Sequence, residues 1–355
     1  MSRYDVAIVG AGMAGAGLAA ALAGEARVVL LEAEDRPGYH STGRSAAFWS
    51  ETYGGPLIQP LTSASRAALS PFLSPRGCIH LANSDGEGAL TALALDFAGS
   101  EVPLQPLSRA ELEDVLPGLR PGWEHGLAEP TCADIDVAAL HAACLRAAKA
   151  DLVVNARLLG AERQGGCWRI ATAAGAFEAD ILVNAAGAWA DPVAALAGEA
   201  PLGIRPYRRT IVQLRTEPPA PANLPLIVDA DRRFYFKPEA GGRLWLSPHD
   251  ETPSGPCDCA PEELDVAIAI DRFERVIDWR VVAVEHKWAG LRSFAPDRLP
   301  VYGFSPSDRG FFWCAGQGGF GIQTAPAASA LAAGLLLGRP AGDIDPAPYS
   351  AGRFA

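Results

Sequence analysis

Residues 5–15, Asp-Val-Ala-Ile-Val-Gly-Ala-Gly-Met-Ala-Gly, join a short apolar run to a glycine-rich turn. The apolar run is typical of a buried parallel strand, and residues 16–23 predict a helix that stops near Gly24. Residues 27–31 predict a second buried strand, which ends at Glu32. A strand, a glycine-rich turn, a helix and a second strand in this order are the fingerprint of a dinucleotide-binding fold.

The three glycines of this turn have separate roles in such a site. Gly10 permits the tight turn, Gly12 lets the backbone approach a pyrophosphate, and Gly15 allows close packing of helix on strand. The helix N-terminus favours an anion because its free N–H groups and its dipole point at the ligand. Glu32 is placed to accept hydrogen bonds from a ribose diol. FAD and NAD both fit this pattern.

A second glycine-rich segment, residues 316–321, precedes a long helix rich in alanine and leucine. Thr324 and Pro326 at its start are typical of a helix N-terminus. Two such termini suit an elongated ligand with two electron-rich ends, and the second could stabilise negative charge on a reduced flavin ring. A structural turn before a helix explains the same residues equally well, so both interpretations stay open.

Composition excludes several classes of protein. The 355 residues predict about two domains. The net charge of −11 and the lack of a basic stripe argue against nucleic-acid binding. Seven cysteines without framework spacing suit a reducing cytoplasm, and the isolated pair Cys257 and Cys259 is too little for zinc, so we predict no metal. Residues 6–23 and 325–337 are too glycine-rich or too short for membrane spans, which predicts a soluble, cytoplasmic protein.

Between residues 205 and 290 the chain alternates apolar runs with proline-rich breaks. The predicted strands are residues 210–214, 234–237, 244–247 and 281–288. Their spacing indicates a mainly antiparallel sheet in a second domain.

Several longer segments of the sequence resemble those of one family of enzymes. They are residues 36–47 (Arg-Pro-Gly-Tyr-His-Ser-Thr-Gly-Arg-Ser-Ala-Ala), 133–136 (Ala-Asp-Ile-Asp), 183–189 (Val-Asn-Ala-Ala-Gly-Ala-Trp), 201–203 (Pro-Leu-Gly), 234–238 (Phe-Tyr-Phe-Lys-Pro), 288–294 (Trp-Ala-Gly-Leu-Arg-Ser-Phe) and 316–324 (Gly-Gln-Gly-Gly-Phe-Gly-Ile-Gln-Thr). With them the chain resembles, nearly from end to end, the D-amino-acid-oxidase-like superfamily of FAD enzymes, to which glycine and sarcosine oxidases belong. The likeness is greatest to the bacterial FAD-dependent D-arginine dehydrogenases.

The resemblance implies that the cofactor is FAD. No cysteine stands near residues 292–297, where some sarcosine oxidases attach their flavin, so the FAD is expected to be noncovalent, and Cys314 is read as a packing residue. Beyond the glycines of the first turn, the implied FAD-binding residues are Ala14, Glu32, Ala33, Ser41, Thr42, Gly43, Arg44, Ser45, Ala46, Ala47, Phe48, Leu158, Gly187, Gly318, Gly319, Phe320, Gly321, Ile322 and Gln323.

The resemblance also implies the residues that hold the substrate, which are Tyr53, Arg209, Tyr235, Arg292 and Gly319. These residue types suit an amino acid, because a guanidinium fork binds a carboxylate bidentately and tyrosine hydroxyls can add hydrogen bonds. Ordinary ion pairing or surface solvation remains the alternative for Arg208, Arg209 and Arg292.

Two positions depart from the D-arginine dehydrogenases. Cys78 stands where those enzymes hold the basic side chain of the substrate with a glutamate, and Phe48 stands where they have a histidine. No acidic residue lies between Tyr53 and Asp85, and His80 is read as a packed residue. The side-chain pocket, Phe48 and Cys78, is therefore expected to be apolar and to disfavour a guanidinium, unless an acid arrives from the loops near residues 80 or 250.

The sequence thus predicts an α/β flavoenzyme with a Rossmann-like FAD-binding domain and a second, mainly antiparallel-sheet substrate domain. The expected segments are 1–75, 135–205 and 295–355 for the first domain, and 76–134 and 206–294 for the second. The expected reaction is oxidation of a neutral D-amino acid to its imine, with electrons passed to a quinone, oxygen or a carrier protein. The alternatives are oxidation of glycine, sarcosine or another secondary amine, and an NAD-dependent dehydrogenase.

Overall fold

The computed structural model describes residues 3–340 and 342–354, and it contains two large β-sheets with helices packed against them. The strands are β1 Arg3–Val9, β2 Val28–Leu31, β3 Phe48–Trp49, β4 Leu73–Pro75, β5 Cys78–Ala82, β6 Gln105–Leu107, β7 His125–Glu129, β8 Ala133–Ile135, β9 Asp151–Val153, β10 Leu158–Gln164, β11 Cys167–Thr172, β12 Gly175–Asn184, β13 Arg205–Glu217, β14 Leu226–Asp229, β15 Tyr235–Glu239, β16 Arg243–Ser247, β17 Thr252–Pro253, β18 Arg280–Phe294, β19 Val301–Phe304 and β20 Phe311–Ala315. The α-helices are α1 Met13–Ala21, α2 Gln59–Leu69, α3 Glu87–Asp96, α4 Arg109–Val115, α5 Val137–Ala148, α6 Ala190–Leu196, α7 Glu263–Glu274 and α8 Ala325–Leu336.

The first large sheet is built on parallel strands in the order β9, β2, β1, β12 and β20. The strand β12 is long enough to pair twice on one side, with β11 through its first half and with β20 through its second. Along β1, Ala7 and Val9 enter the apolar cluster on one face, while Val6 and Ile8 enter the cluster on the other. Burial on both faces explains why this strand reads as an unbroken apolar run.

The second large sheet is mainly antiparallel, in the order β18, β13, β16, β15, β14, β5, β7 and β6. Only the β14–β5 pair in this order is parallel. Helix α7 covers one face, where Phe273 packs edge-on against Phe236 in a cluster that also contains Trp279. A small third sheet, β3, β8 and β4, lies beside these two.

Both predicted classes of sheet are confirmed, and the differences concern the bounds of the strands. Between β9 and β10 the chain turns at Asn155, which adopts a left-handed conformation (φ 53°). The strands expected at 210–214 and 281–288 extend to the full lengths of β13 and β18, which pair antiparallel from Arg205 opposite Phe294 to Glu217 opposite Arg280.

The division of the chain into two domains stays a prediction. Residues 1, 2, 341 and 355, which fall within the segments 1–75 and 295–355, lie outside the described residues. Searched along its described ranges, the chain has no helix with the length and apolarity needed to cross a membrane.

The turn between β1 and α1 brings backbone atoms into close contact. Gly10 has a φ of 103°, and a Cβ there would lie 2.5 Å from the carbonyl oxygen of Ala185, the residue that follows β12. A Cβ on Gly15 would lie 1.9 Å from the carbonyl oxygen of Gly10. Both glycines are therefore required by the approach of α1 to the sheet, as the fingerprint predicts.

We expect Gly15→Ala to lower the free energy of unfolding by more than about 2 kcal/mol, because backbone atoms cannot move aside for the added methyl group. Gly88→Ala is the matched control, since Gly88 lies in α3 and a Cβ there meets nothing within 4 Å. That control should gain roughly 0.4–1 kcal/mol. Urea unfolding of both variants measures the difference, and equal stabilities would contradict the packing described here.

Candidate functional site

A cleft of about 360 Å³ lies along the carboxyl ends of β1, β2 and β12 and reaches β13 and β18 of the second sheet. This is the edge at which open parallel sheets bind their ligands. Most of the predicted cofactor residues line it: Gly10, Gly12, Ala14, Glu32, Ala33, Ser41, Thr42, Arg44, Ser45, Leu158, Gly187, Gly318, Gly319, Gly321 and Ile322.

The glycine-rich turn at one end of the cleft is fixed by side chains from three other segments. One oxygen of the Glu32 carboxylate accepts a hydrogen bond from the Ala11 amide at 2.9 Å, and the other from the Glu34 amide at 3.0 Å. The Met13 amide donates to the Thr42 hydroxyl at 2.9 Å. His141, which the sequence reasoning missed, lies with Nε2 2.9 Å from the carbonyl oxygen of Ala11.

This end of the cleft fits a dinucleotide. A Cβ on Gly12 would lie 3.2 Å from the Thr42 hydroxyl oxygen, so the glycine keeps the backbone open on the side of the cleft. Amides at the start of α1, including that of Ala14, lack acceptors within the helix and can hold a pyrophosphate. Glu32, buried at the end of β2, remains within reach of a ribose.

Some predicted cofactor residues lie behind the lining instead. They are Gly15, Gly43, Ala46, Ala47, Phe48, Phe320 and Gln323. Gln323 is 1% exposed, and its side chain accepts from the Ser50 amide at 3.1 Å and donates to the Tyr53 carbonyl at 3.1 Å. Thr324 begins α8 but donates its hydroxyl to the Phe320 carbonyl, so it does not cap the helix.

The five predicted substrate residues meet at the other end of the cleft. A Cβ on Gly319 would lie 1.9 Å from the Tyr53 hydroxyl oxygen and 3.0 Å from Arg292 Nε, so both groups lie directly above that glycine. Arg209 on β13 and Arg292 on β18 line the cleft, on strands that pair with each other. The pKa of Arg209 depends on the charge of Arg292, and that of Arg292 on Tyr235, which places all three together.

The positive charge of Arg292 has no acidic partner within salt-bridge distance among the described residues. It forms no salt bridge with a described residue, and it is half-buried in the wall of the cleft. Burial disfavours its charge, but Tyr53, Tyr235 and Asp250 outweigh that effect and raise its pKa above the ordinary value for arginine. The guanidinium therefore stays charged and available to an anion.

Arg209 is held more tightly than Arg292. Its Nε donates to the Asp250 carbonyl at 2.7 Å, and one Nη lies 3.2 Å from a Glu251 carboxylate oxygen. Burial and the neighbouring Arg292 lower its pKa to about 10. The other nitrogen, Nη1, and the Tyr235 hydroxyl are buried without a hydrogen-bond partner among the residues described, so their hydrogen-bonding capacity is unused.

The loop near residue 250 places two acidic residues in the site, beside the arginines and not beside Phe48 and Cys78. Asp250 and Glu251 both face Arg209, and Glu251 also accepts from Arg298 at 2.8 Å. Arg208, in contrast, points to Asp265 at 2.9 Å and to Glu262. Ordinary ion pairing, one of the two interpretations open for these arginines, thus applies to Arg208.

The two residues predicted for the side-chain pocket, Phe48 and Cys78, lie behind the lining of the cleft and pack beside Tyr235. Phe48 lies against Tyr53 and Tyr235, with ring centroids 5.4 and 6.0 Å apart. Cys78 is 2% exposed and lies in an apolar cluster with Tyr235 instead of lining the cleft. Burial raises the pKa of its thiol. Cys78 is therefore not a direct contact for a ligand in the cleft.

Glu129 is a buried carboxylate that the sequence reasoning missed. Strand pairing places it opposite Cys78, and it accepts hydrogen bonds from the hydroxyls of Ser50 at 2.9 Å and Thr52 at 2.6 Å. Burial raises its pKa, but the neighbouring His80 and these hydroxyls outweigh burial, so the pKa is lowered overall. The carboxylate is therefore ionised and already compensated.

Cys78, His80 and Glu129 lie close enough together to ligate a metal ion, with ligand atoms within 4.8 Å of one another. Hydrogen bonds account for the carboxylate without an ion, because one oxygen accepts from the Glu51 amide at 2.6 Å and the other from the two hydroxyls. This geometry favours a structural network.

Known proteins resemble the chain along almost its whole length. Residues 5–335 match the model of the family described as FAD dependent oxidoreductase (DAO). The chain is 28% identical to the glycine oxidase of Pseudomonas putida over 323 residues, which cover 88% of this chain and 83% of that protein. It is 27% identical to the glycine oxidase of Geobacillus kaustophilus, over 98% of this chain and 96% of that one.

Solved structures agree with these matches. A crystal structure of glycine oxidase from Geobacillus kaustophilus superposes with a TM-score of 0.85 at 26% identity, covering 99% of this chain and 98% of that chain. L-proline dehydrogenase from P. horikoshii has the same fold, with a TM-score of 0.87 at 20% identity over 99% of this chain and 98% of that chain. The resemblance predicted from sequence is confirmed for the family, but these matches favour glycine oxidases over D-arginine dehydrogenases. FAD, and not NAD, is the cofactor of the family matched.

Because the pKa of Glu129 lies below its ordinary 4.5, its contribution to stability is present above about pH 4.5 and is lost as the pH falls through the folded-state pKa. We expect the difference in Tm between the native protein and Glu129→Gln to shrink as the pH falls from about 7 to about 3.5. Thermal melts across this range measure the effect, with the exposed Glu113→Gln as control for the loss of one negative charge. A Tm difference that is constant with pH would contradict the assignment of charge.

Proposed function

The chain belongs to the DAO family of FAD-dependent oxidoreductases, and we propose that it oxidises glycine or a small secondary amine such as sarcosine. The product is the imine, which water hydrolyses to the oxo acid and free amine. The observation that carries this proposal is the Arg292 guanidinium, which lines the cleft beside Tyr53 and Tyr235 and forms no salt bridge with any described residue. The names of the glycine oxidases that the chain resembles support the same substrate class.

Arg292 would bind the substrate carboxylate. A carboxylate beside it would replace the missing counter-ion, and its second oxygen could accept from Arg209 Nη1, which has no partner among the described residues. The hydroxyls of Tyr53 and Tyr235 border the same position and would add hydrogen bonds. Together these groups fix the carboxylate, and with it the direction of the Cα–H bond.

FAD would be held by the Gly10–Ala14 turn, by Glu32 and by the Gly318–Ile322 segment, and it supplies the acceptor for the hydride that leaves Cα. The protein's own part is to bind, orient and neutralise the substrate. No acid–base side chain is required, because the neutral amine can be drawn from solution. The electrons then pass to oxygen, a quinone or a carrier protein.

The rings of Phe48, Tyr53 and Tyr235 favour a small substrate. Phe48 packs against both tyrosines, so these rings fill space that a larger substrate side chain would need. A neutral D-amino acid is the second candidate, since an aromatic surface accepts apolar groups. A guanidinium is disfavoured, because the nearby Glu129 is already compensated by its donors and by His80.

Arg292→Met should lower kcat/KM roughly a hundredfold or more, because the substrate carboxylate loses its charged partner. This factor corresponds to a loss of about 3 kcal/mol in transition-state stabilisation. Arg215→Met is the matched control, because Arg215 lies on β13 with an exposed side chain. Steady-state kinetics and FAD content are measured on both variants. A kcat/KM within threefold of the native value, with full FAD, would exclude Arg292 as the carboxylate anchor.

The proposed substrate class is tested by the loss of flavin absorbance under anaerobic conditions. Glycine, sarcosine, D-alanine, D-leucine, D-arginine and L-proline are compared at equal concentrations. We expect glycine or sarcosine to reduce the flavin with the highest second-order rate constant. A clear preference for D-leucine would support the second candidate, and a preference for D-arginine would contradict both. Repeating turnover with oxygen and with a soluble quinone identifies the acceptor.

A further inference from the structure

The segment Ser50–Tyr53 is held by a single buried carboxylate. Glu129 is fully buried, and it accepts hydrogen bonds from three consecutive residues: the Ser50 hydroxyl at 2.9 Å, the Glu51 amide at 2.6 Å and the Thr52 hydroxyl at 2.6 Å. The next residue is Tyr53, whose hydroxyl lies above Gly319 beside Arg292. One side chain of the second sheet therefore fixes the backbone that leads into the substrate end of the cleft.

Gln323 holds the same segment from the opposite side. Its amide oxygen accepts from the Ser50 amide, and its amide nitrogen donates to the Tyr53 carbonyl, both at 3.1 Å. Gly54 and Gly55, with φ values of 104° and 83°, then turn the chain toward α2. The backbone at Tyr53 is thereby restrained at both ends, which limits the positions that its hydroxyl can take relative to Arg292.

A carboxylate suits this position better than an amide. Both of its oxygens accept hydrogen bonds. One of the donors is a backbone N–H, which can donate but cannot accept. A glutamine would present one NH₂ group either to the Glu51 amide or to the two hydroxyls, which now donate. The hydroxyls could rotate, but at least one of the present hydrogen bonds would be lost.

We propose that Glu129 is a positioning residue that places the Tyr53 hydroxyl beside Arg292 to receive the substrate carboxylate. This inference rests on the proposed function, because it assumes that Tyr53 contacts the substrate. Glu129 itself lies outside the lining of the cleft and acts through Ser50, Glu51 and Thr52.

A double-mutant cycle between Glu129 and Tyr53 tests the proposal on the FAD-loaded enzyme. Glu129→Gln should raise KM for glycine, and the inhibition constant of acetate, about tenfold while kcat changes less than about threefold. In the Tyr53→Phe background the same change should have less than about a twofold effect, because the hydroxyl that it positions is absent. Tm and FAD content are recorded for every variant.

Glu199→Gln is the matched control, since Glu199 also accepts from two serine hydroxyls, those of Ser305 and Ser307, with no contact to residues 50–53. It should leave KM and the acetate inhibition constant unchanged. If Glu129→Gln does not fold, Thr52→Val replaces it in the same cycle, because it removes one of the three donors alone.

Three outcomes overturn the inference. Equal effects of Glu129→Gln in both backgrounds would mean that Glu129 acts independently of Tyr53. Unchanged KM in Glu129→Gln, with a clear defect in Tyr53→Phe, would mean that Tyr53 needs no such support. If Tyr53→Phe changed neither KM nor the acetate inhibition constant, the Tyr53 hydroxyl would have no role for Glu129 to support. The proposed function would still be decided by the substrate comparison and by Arg292→Met.

Discussion

The contact between the first turn of α1 and the end of β1 is the constraint on which the cofactor end of the cleft depends. Because Gly15 has no side chain, the helix approaches until its backbone meets the Gly10 carbonyl. The helix amides then point into the cleft, and the Ala11 amide comes within hydrogen-bond distance of Glu32. A looser approach would turn both groups away from a dinucleotide, so affinity for FAD originates in backbone packing.

At the other end of the cleft, the arrangement is governed by like charges. Two arginines on paired strands face the same small volume, and their repulsion is offset unequally. Asp250 and Glu251 compensate Arg209, whereas Arg292 forms no salt bridge with any described residue and is influenced by Tyr53, Tyr235 and Asp250. The resulting excess of positive charge in a partly desolvated wall favours a ligand with one negative charge, which matches an amino acid carboxylate.

Local sequence predicted the parts of the molecule that depend on local signals. The region from β1 to Glu32 follows from apolar runs and glycine spacing, and the second sheet from alternation and proline breaks. The full lengths of β13 and β18 were not predicted, because arginines such as Arg205 and Arg215 flank the apolar run of β13 and Gly290 interrupts that of β18. Glu129 was missed because its place opposite Cys78 depends on strand pairing between residues 51 positions apart in the sequence. The direction of the Gln323 side chain is likewise a tertiary feature that no sequence pattern contains.

The hydrogen bonds around Tyr53 also have a consequence for the order in which the protein assembles. The bond from Ser50 to Glu129 spans 79 residues of sequence, and the bond from Ser50 to Gln323 spans 273. Such distant contacts form slowly, because closing a long loop costs conformational entropy. This cost is offset only after the intervening chain has folded. We therefore expect the end of the cleft that contains Tyr53 to be among the last regions to become ordered during folding. A nascent chain would acquire its nucleotide-binding turn early and its substrate chemistry only after the segment containing Gln323 has been synthesised.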